Sequence, residues 1–520
     1  MTAQPLRSLL AAALCMAGAA TAAAAASGAP TAGAQAPVAV TVQVDAPGTP
    51  FPHFWETMFG SGRAVLALRD NYRQDVRLVK GVTDFRYVRF HGIFHDEIGL
   101  FDLDAAGRPV YNFSYIDQIY DGLLADGVRP FVELSFMPQK LAADPKNIFG
   151  FWYKPNISPP RDYAQWDAMI AAFARHLIER YGIEEVGRWY FEVWNEPNIG
   201  FWGGEPHQPA YYELYDHTAR ALKGVNQRLR VGGPATAQAA WAGDFIKHCQ
   251  SQGVPVDFVS THVYANDTSQ DVFHNDVPVP RDRMVCTAVH KVHEEIKASP
   301  LPDLPLLWSE YNASYANEPN VTDTVYMGPW LATTISQCDG LTQAMSYWSF
   351  SDVFEEGGVV KTPFYGGFGL VAADDIPKPA FNAFALLHRL GQTRLSSDSD
   401  SALITRRADG TVVIALWNYA PPDGTGEHYT TPSTGATREF VVRVRGLQTL
   451  AHATVWRVDA DHGNVVRTFD AMGRPPFPSR QQIAALRAGA RLPAPQVVAL
   501  RAGALRLTVP AHGLAVVEIH

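Results

Sequence analysis

Between about residue 52 and residue 390 the chain repeats one pattern. A short run of apolar, aromatic and β-branched residues is followed by a longer stretch whose apolar positions recur every three or four residues. The runs fall at residues 54–59, 85–90, 130–136, 189–194, 229–232, 256–262, 305–309 and 344–348. The helical spacing is clearest over residues 163–181, where Trp166, Ile170, Phe173, Leu177 and Tyr181 share a face and Gly182 supplies the stop. Eight strand-like runs alternating with helices predict a (β/α)8 TIM barrel. A doubly wound sheet would carry a glycine-rich phosphate loop after its first strand, and none follows residue 59. Beyond Gly391 the texture changes. Residues 412–417 follow an Asp409-Gly410 turn, residues 440–444 end at Gly446, and residues 455–458 and 514–519 are further short strand-like runs. That spacing predicts a C-terminal β-sandwich over residues 391–520. Residues 38–44 alternate in the same manner, so the segment 38–51 is expected to cross over and join the sandwich, leaving 52–390 for the barrel.

Composition narrows the class without changing the fold. Of the 520 residues, 47% are hydrophobic and 18% charged, as in a globular protein. A net charge of −9 with no basic run excludes a nucleic-acid binder, which needs a positive footprint. Aromatics reach 11%, including 12 Trp, which suits a sugar-binding cleft or simply a large core. At the start, Arg7 precedes an apolar stretch over residues 9–20 and an alanine tract to Ala26. This is the layout of a secretory signal peptide, too short to span a membrane, and it implies a periplasmic or secreted protein. Residues 27–37 then form a linker rich in Gly, Ala, Thr and Pro. Cys15 leaves with the signal segment. Cys249, Cys286 and Cys338 remain, compatible with one disulfide and a free thiol or with three buried thiols. No His, Asp, Glu or Cys spacing suggests a metal, and no motif calls for another cofactor.

Two carboxylates change the picture. In "YFEVWNEPNIGFW", Glu196 lies between Asn195 and Pro197, where a buried strand opens into a loop. In "PLLWSEYNASY", Glu310 ends the seventh apolar run. A closed parallel barrel opens the carboxyl ends of all its strands onto one face. Two glutamates in one cleft are what glycoside hydrolysis requires: one protonates the leaving oxygen while the other attacks the anomeric carbon or activates water.

The blocks "YVRFHGIFHDE", "FVELSFMP", "FEVWNEPN", "DFVSTHVYANDT", "LLWSEYNASY", "YWSFSDVFEEGG" and "PFYGGFGL" succeed one another from Tyr87 to Leu370. This ordered set resembles glycoside hydrolase family 39, the family of retaining β-xylosidases and related enzymes, over the whole barrel. The resemblance implies Glu196 as acid/base and Glu310 as nucleophile. Asn195 is placed to bond the sugar 2-hydroxyl, and Tyr264 to donate to Glu310 and keep it ionised. By the same resemblance His91 and His262 bind sugar hydroxyls, Trp348 floors the sugar ring, Glu355 and Glu356 hold hydroxyls of the terminal sugar, and Trp202 walls the leaving-group side. The implied activity is release of xylose from the non-reducing ends of xylo-oligosaccharides by double displacement. Within the family an α-L-arabinopyranosidase, an α-L-iduronidase or an exopolysaccharide endo-glycosidase is the alternative. A non-catalytic carbohydrate-binding protein is the alternative outside it, which the presence of Glu196 and Glu310 with Asn195 opposes. The triplet Asn312-Ala313-Ser314 fits N-glycosylation, but a glycan there would block the cleft.

Overall fold

The computed structural model describes residues 36–431, 435–446 and 452–520. The signal segment and most of the linker lie outside the described residues. Eight parallel strands close into a barrel: Met58–Ser61, Tyr87–Phe90, Arg129–Leu134, Tyr190–Val193, Arg230–Thr236, Phe258–Tyr264, Leu306–Asn312 and Ala344–Tyr347. Each pairs with the next, and the eighth pairs with the first through Ser346–Met58 and Tyr347–Phe59.

Several strand boundaries differ from those expected, the fifth strand running on to Thr236, and two of the differences shape the core and the site. The first strand begins at Met58, because Phe54 and Trp55 instead turn under the barrel and are buried in its core. The seventh does not stop at Glu310 but runs to Asn312, since Tyr311 and Asn312 pair with Val263 and Tyr264. The pairing register shifts between Thr261 and His262 on the sixth strand and between Trp308 and Tyr311 on the seventh. Such irregularities re-aim side chains at a barrel rim. Here they flank Glu310.

Helix Tyr163–Tyr181 starts at Asp162, whose carboxylate accepts the Ala164 and Gln165 N–H groups, and ends at Gly182 with φ of 77°. Cys286, on helix Arg281–Lys297, is disulfide-bonded to Cys338, at the end of helix Met327–Cys338, while Cys249 is free and buried. Among the described residues no helix is long and apolar enough to cross a membrane.

The C-terminal part packs a three-stranded sheet (Val38–Gln43, Arg438–Arg445, Ala504–Val509) on a seven-stranded one. The Val38 strand pairs parallel with Arg438–Arg445, and Thr49–Pro50 adds to the edge of the larger sheet. Central strands of the larger sheet are buried on both faces. Ile414, Leu416, Ala515 and Val517 face the smaller sheet, while Val413, Ala415, Trp417, Leu514 and Val516 join the barrel core. A period of two thus reads as a continuous apolar run. Two helices, Val465–Ala471 and Arg480–Gly489, interrupt the all-β pattern. The second is started by a Ser479–Gln482 capping box, a polar signal that strand reading passes over.

Candidate active site

A cavity of about 350 Å³ opens at the carboxyl ends of the barrel strands and is lined by His91, Asn195, Glu196, Tyr264, Glu310 and Trp348, among others. Glu196 stands three residues past the end of the fourth strand, and the chain reaches it through a local contortion. Trp194 has φ of 71° and Glu196 φ of 45°, both in the left-handed region that costs a non-glycine residue about 1–2 kcal/mol. Neighbours over-determine the turn. Glu196 N–H donates to the Ala235 carbonyl at 2.7 Å, Trp194 Nε1 donates to the Phe201 carbonyl at 2.8 Å, and the Asn198 side chain bridges to Ala237. Strain held by surrounding contacts is common where a side chain must be aimed. The aim is Glu310. One carboxylate oxygen from each glutamate, with His262 Nδ1, lie within 4.8 Å of one another.

Beneath the pair lies a buried arginine. Arg89 donates to Glu192 at 2.6 Å, Glu310 Oε1 at 2.6 Å and the Asn195 side-chain carbonyl at 2.9 Å, and pairs with Glu133 at 2.8 Å. Burial opposes its charge, yet three surrounding carboxylates outweigh that and hold it firmly protonated. Tyr264 Oη donates to the other oxygen of Glu310 at 2.6 Å. Burial pushes Glu310 above the usual carboxylate range, while Arg89, His91 and Tyr264 oppose that rise. Glu196 has no guanidinium on it. Burial first, and the Glu310 charge second, push its carboxyl well up. The two acids are therefore driven apart, with Glu310 the one that ionises and Glu196 the one that keeps its proton.

The other residues expected in the site divide. His91 lines the cavity, its Nδ1 2.7 Å from Glu133; burial works against its charge, but the Glu133 carboxylate prevails and raises its pKa. Glu356 and Trp348 line it too, and burial lifts Glu356 to about 8. His262 sits behind the wall. It contacts Glu196 Oε1 at 3.0 Å and Ser309 Oγ at 3.1 Å, and burial with the nearby Arg89 charge keeps its imidazole neutral. It touches the acid and not the cavity space. Glu355 is turned away, drawn into ion pairs with Arg63 at 3.1 Å and Arg69 at 2.5 Å. Trp202 packs inward on Trp194, ring centres 4.9 Å apart, and its neighbour Phe201 takes the place at the cavity with Phe151. Asn312 is fully buried with its amide on the Trp348 carbonyl, so the glycosylation triplet is not displayed.

Motif reading passes over Arg89, Glu133 and Glu192, although each is a charge set inside an apolar strand, which is a readable signal. Asp267, which burial raises to about 7, also lines the cavity. The Glu196–His262–Glu310 set has the donors for a cation, but the Glu310 oxygen facing His262 already accepts from Arg89. That guanidinium disfavours a metal and favours proton chemistry.

The family model described as Glycosyl hydrolases family 39 matches residues 38–503. A β-xylosidase of Geobacillus stearothermophilus is 39% identical over 446 residues, 84% of this chain and 86% of that protein. One from Caldicellulosiruptor saccharolyticus is 36% identical over 442 residues, 83% of this chain and 87% of that protein. The crystal structure of a monomeric β-xylosidase from Caulobacter crescentus CB15 superposes with a TM-score of 0.84 at 33% identity, covering 93% of this chain and 99% of that one.

Proposed function

Because this chain belongs to glycosyl hydrolase family 39, we propose that it is a retaining β-xylosidase acting on the non-reducing ends of xylo-oligosaccharides outside the cytoplasm. The observation that carries the mechanism is the spacing of the two carboxylates. One oxygen of each carboxylate lies within 4.8 Å of the other, which favours the separation of about 5–5.5 Å found in retaining enzymes over the about 6.5–9.5 Å that lets an inverting enzyme place a water between its carboxyl groups. Glu310, ionised and held by Arg89 and Tyr264, attacks the anomeric carbon. Glu196 gives its proton to the departing oxygen as that bond breaks. Glu196, now a carboxylate, takes a proton from water, which attacks the same carbon and releases Glu310. Asn195, its carbonyl oxygen held by Arg89, is oriented toward the sugar 2-hydroxyl. Trp348 offers an apolar face to the ring. The pentose assignment rests on the β-xylosidase relatives. An extracytoplasmic location rests on the signal-like N terminus and on the Cys286–Cys338 disulfide, a bond that persists in oxidising compartments.

The test is turnover of a panel of aryl β-D-xylosides, α-L-arabinopyranosides, β-D-glucosides and α-L-iduronides, with the anomer of the first-formed sugar read by NMR. The β-xyloside should have the highest kcat/KM and yield β-xylose. An iduronide or arabinopyranoside turned over faster would replace the substrate assignment, and an α product would replace the mechanism.

A further inference from the structure

Three glycines in the block "PFYGGFGL" stand where no side chain fits. Gly366 has φ of 87°, and a Cβ on it would lie 2.6 Å from the Glu318 backbone nitrogen. A Cβ on Gly367 would lie 2.4 Å from Asp352 Oδ1, and one on Gly369 2.4 Å from the Asp352 backbone nitrogen. Glycine lets the backbone come this close to its neighbours. What holds it there is charge. Asp323, just after helix Pro319–Thr322, accepts the Gly366 N–H on Oδ2 at 2.6 Å. Asp352, beyond the eighth strand, accepts the Gly369 N–H on Oδ1 at 2.7 Å. Lys378 precedes helix Pro379–Leu387 and sets its ammonium 2.7 Å from the remaining oxygen of each carboxylate. The same ammonium donates to the Gly367 carbonyl at 2.8 Å, and the Lys378 N–H donates to the Leu370 carbonyl at 2.9 Å.

All three charged side chains are buried. Burial opposes the Lys378 charge, yet the two carboxylates outweigh it and hold the ammonium protonated. A buried triad of this kind is a weak source of stability, because apolar residues of similar volume often serve as well or better. What it supplies is direction. Each carboxylate spends one oxygen on the ammonium and the other on a backbone N–H, so one cation fixes the 366–370 segment at several points.

The middle residue of that segment is Phe368, which lines the catalytic cavity, while Lys378, Asp323 and Asp352 do not. The Phe368 carbonyl accepts the Ser349 N–H at 3.1 Å, directly beside Trp348. Its ring meets Phe354 edge-on at 5.4 Å, and Phe354 meets Trp348 edge-on at 5.5 Å. The cation therefore reaches the cavity floor through backbone and rings.

We propose that Lys378, clamped between Asp323 and Asp352, is a positioning residue for sugar binding: it locks the Gly366–Leu370 segment so that Phe368 and Trp348 present a fixed floor to the sugar. This role rests on the glycosidase reading for its effect on substrate affinity, but not for its effect on the Trp348 ring.

The experiment is fluorine NMR of the full chain labelled with fluorotryptophan, alongside kinetics on the aryl glycoside that wild type turns over fastest. Among the 12 tryptophans, the Trp348 signal is identified by its loss in Trp348→Phe. Lys378→Met should melt lower, since two buried carboxylates lose their partner, and its Trp348 signal should shift or broaden. Its kcat/KM should fall about 10- to 100-fold, chiefly through KM, as for a binding contact displaced from a distance. Trp417→Ala, which weakens the fold at the sandwich, should also melt lower but keep the wild-type Trp348 signal and KM. Gly367→Ala pushes the same segment off Asp352 without unpairing a charge, so it should move the signal and raise KM too. It decides the matter if Lys378→Met does not fold. A Trp348 signal and KM unmoved in folded Lys378→Met, or moved equally by Trp417→Ala, would overturn the role, as would an unmoved signal in Gly367→Ala. Wild type inert on every aryl glycoside would remove the glycosidase reading, and the Trp348 signal alone would then decide the clamp.

Discussion

Glu196 and Glu310 differ in what holds them, and that difference can be read out kinetically. Glu196→Ala removes the acid of the first step and the base of the second. Aryl glycosides with acidic leaving groups need little protonation, so they should show a burst of phenol release followed by turnover slowed about 10²–10⁴-fold. Xylobiose should lose more, because its leaving group needs the proton. Equal losses on both substrates without a burst would remove Glu196 from the acid/base role. The pH profile follows from the two shifts. Glu196 must keep its proton, and its pKa lies well above the usual range, so kcat/KM should fall as pH rises through it. Glu310 must be ionised, and its pKa is also raised, so kcat/KM should fall as pH drops through it. The two limbs report the pair together. Tyr264→Phe removes one O–H donor from the ionised Glu310. A hydrogen bond to a charged group is worth about 1.5–3 kcal/mol, so kcat/KM should drop about 10- to 100-fold. The acidic limb should move to higher pH, because the carboxylate is less stabilised. A drop with the limb unmoved would make Tyr264 a structural contact only.

At the scale of elements, the first barrel strand carries a glycine where a side chain cannot fit. A Cβ on Gly60 would stand 2.1 Å from Cε3 of Trp348, the ring that closes the cavity floor after the eighth strand. Strand one is thus shaped by strand eight's product. Gly60→Ala should displace the Trp348 ring, raising KM for xylosides several-fold, with quenching or shift of tryptophan fluorescence as the independent readout. Unchanged KM and fluorescence would show that the ring has space to move. The strands themselves were legible because each is a short apolar run between polar turns. Their ends were less so. Phe54 and Trp55 look like strand residues but fill the core below the barrel, since burial alone does not distinguish a pleated run from a packed turn. Glu355 and Trp202 depart from their expected places for a related reason. Adjacent residues point apart, and which of two neighbours faces the cavity depends on partners such as Arg63 and Arg69, or Trp194, that sequence distance conceals.

As a whole molecule, the barrel and the sandwich share one core. Trp417, Leu514 and Val516 on the larger sheet belong to the same apolar cluster as the barrel helices, and helix Met327–Cys338 packs on strands Val412–Asn418 and Gly513–Ile519. The chain should therefore unfold in one calorimetric transition, with activity lost at the same temperature. Trp417→Ala, which opens a cavity at that junction, should cost about 3–5 kcal/mol and lower the temperature of activity loss with the melting point. Two resolved transitions, with the barrel melting as before, would show that the halves fold separately. The order of hydrophobic runs by itself determined the eight-stranded barrel, the β-rich C-terminal part and the two glutamates at strand ends, because each is written in local periodicity. Only the tertiary structure decided that Arg89 reaches both Glu310 and Asn195, that His262 serves Glu196 from behind the wall, and that His53 and Glu56 meet His388. Those groups come together across gaps of tens to hundreds of residues, closed by barrel curvature, which local pattern does not encode.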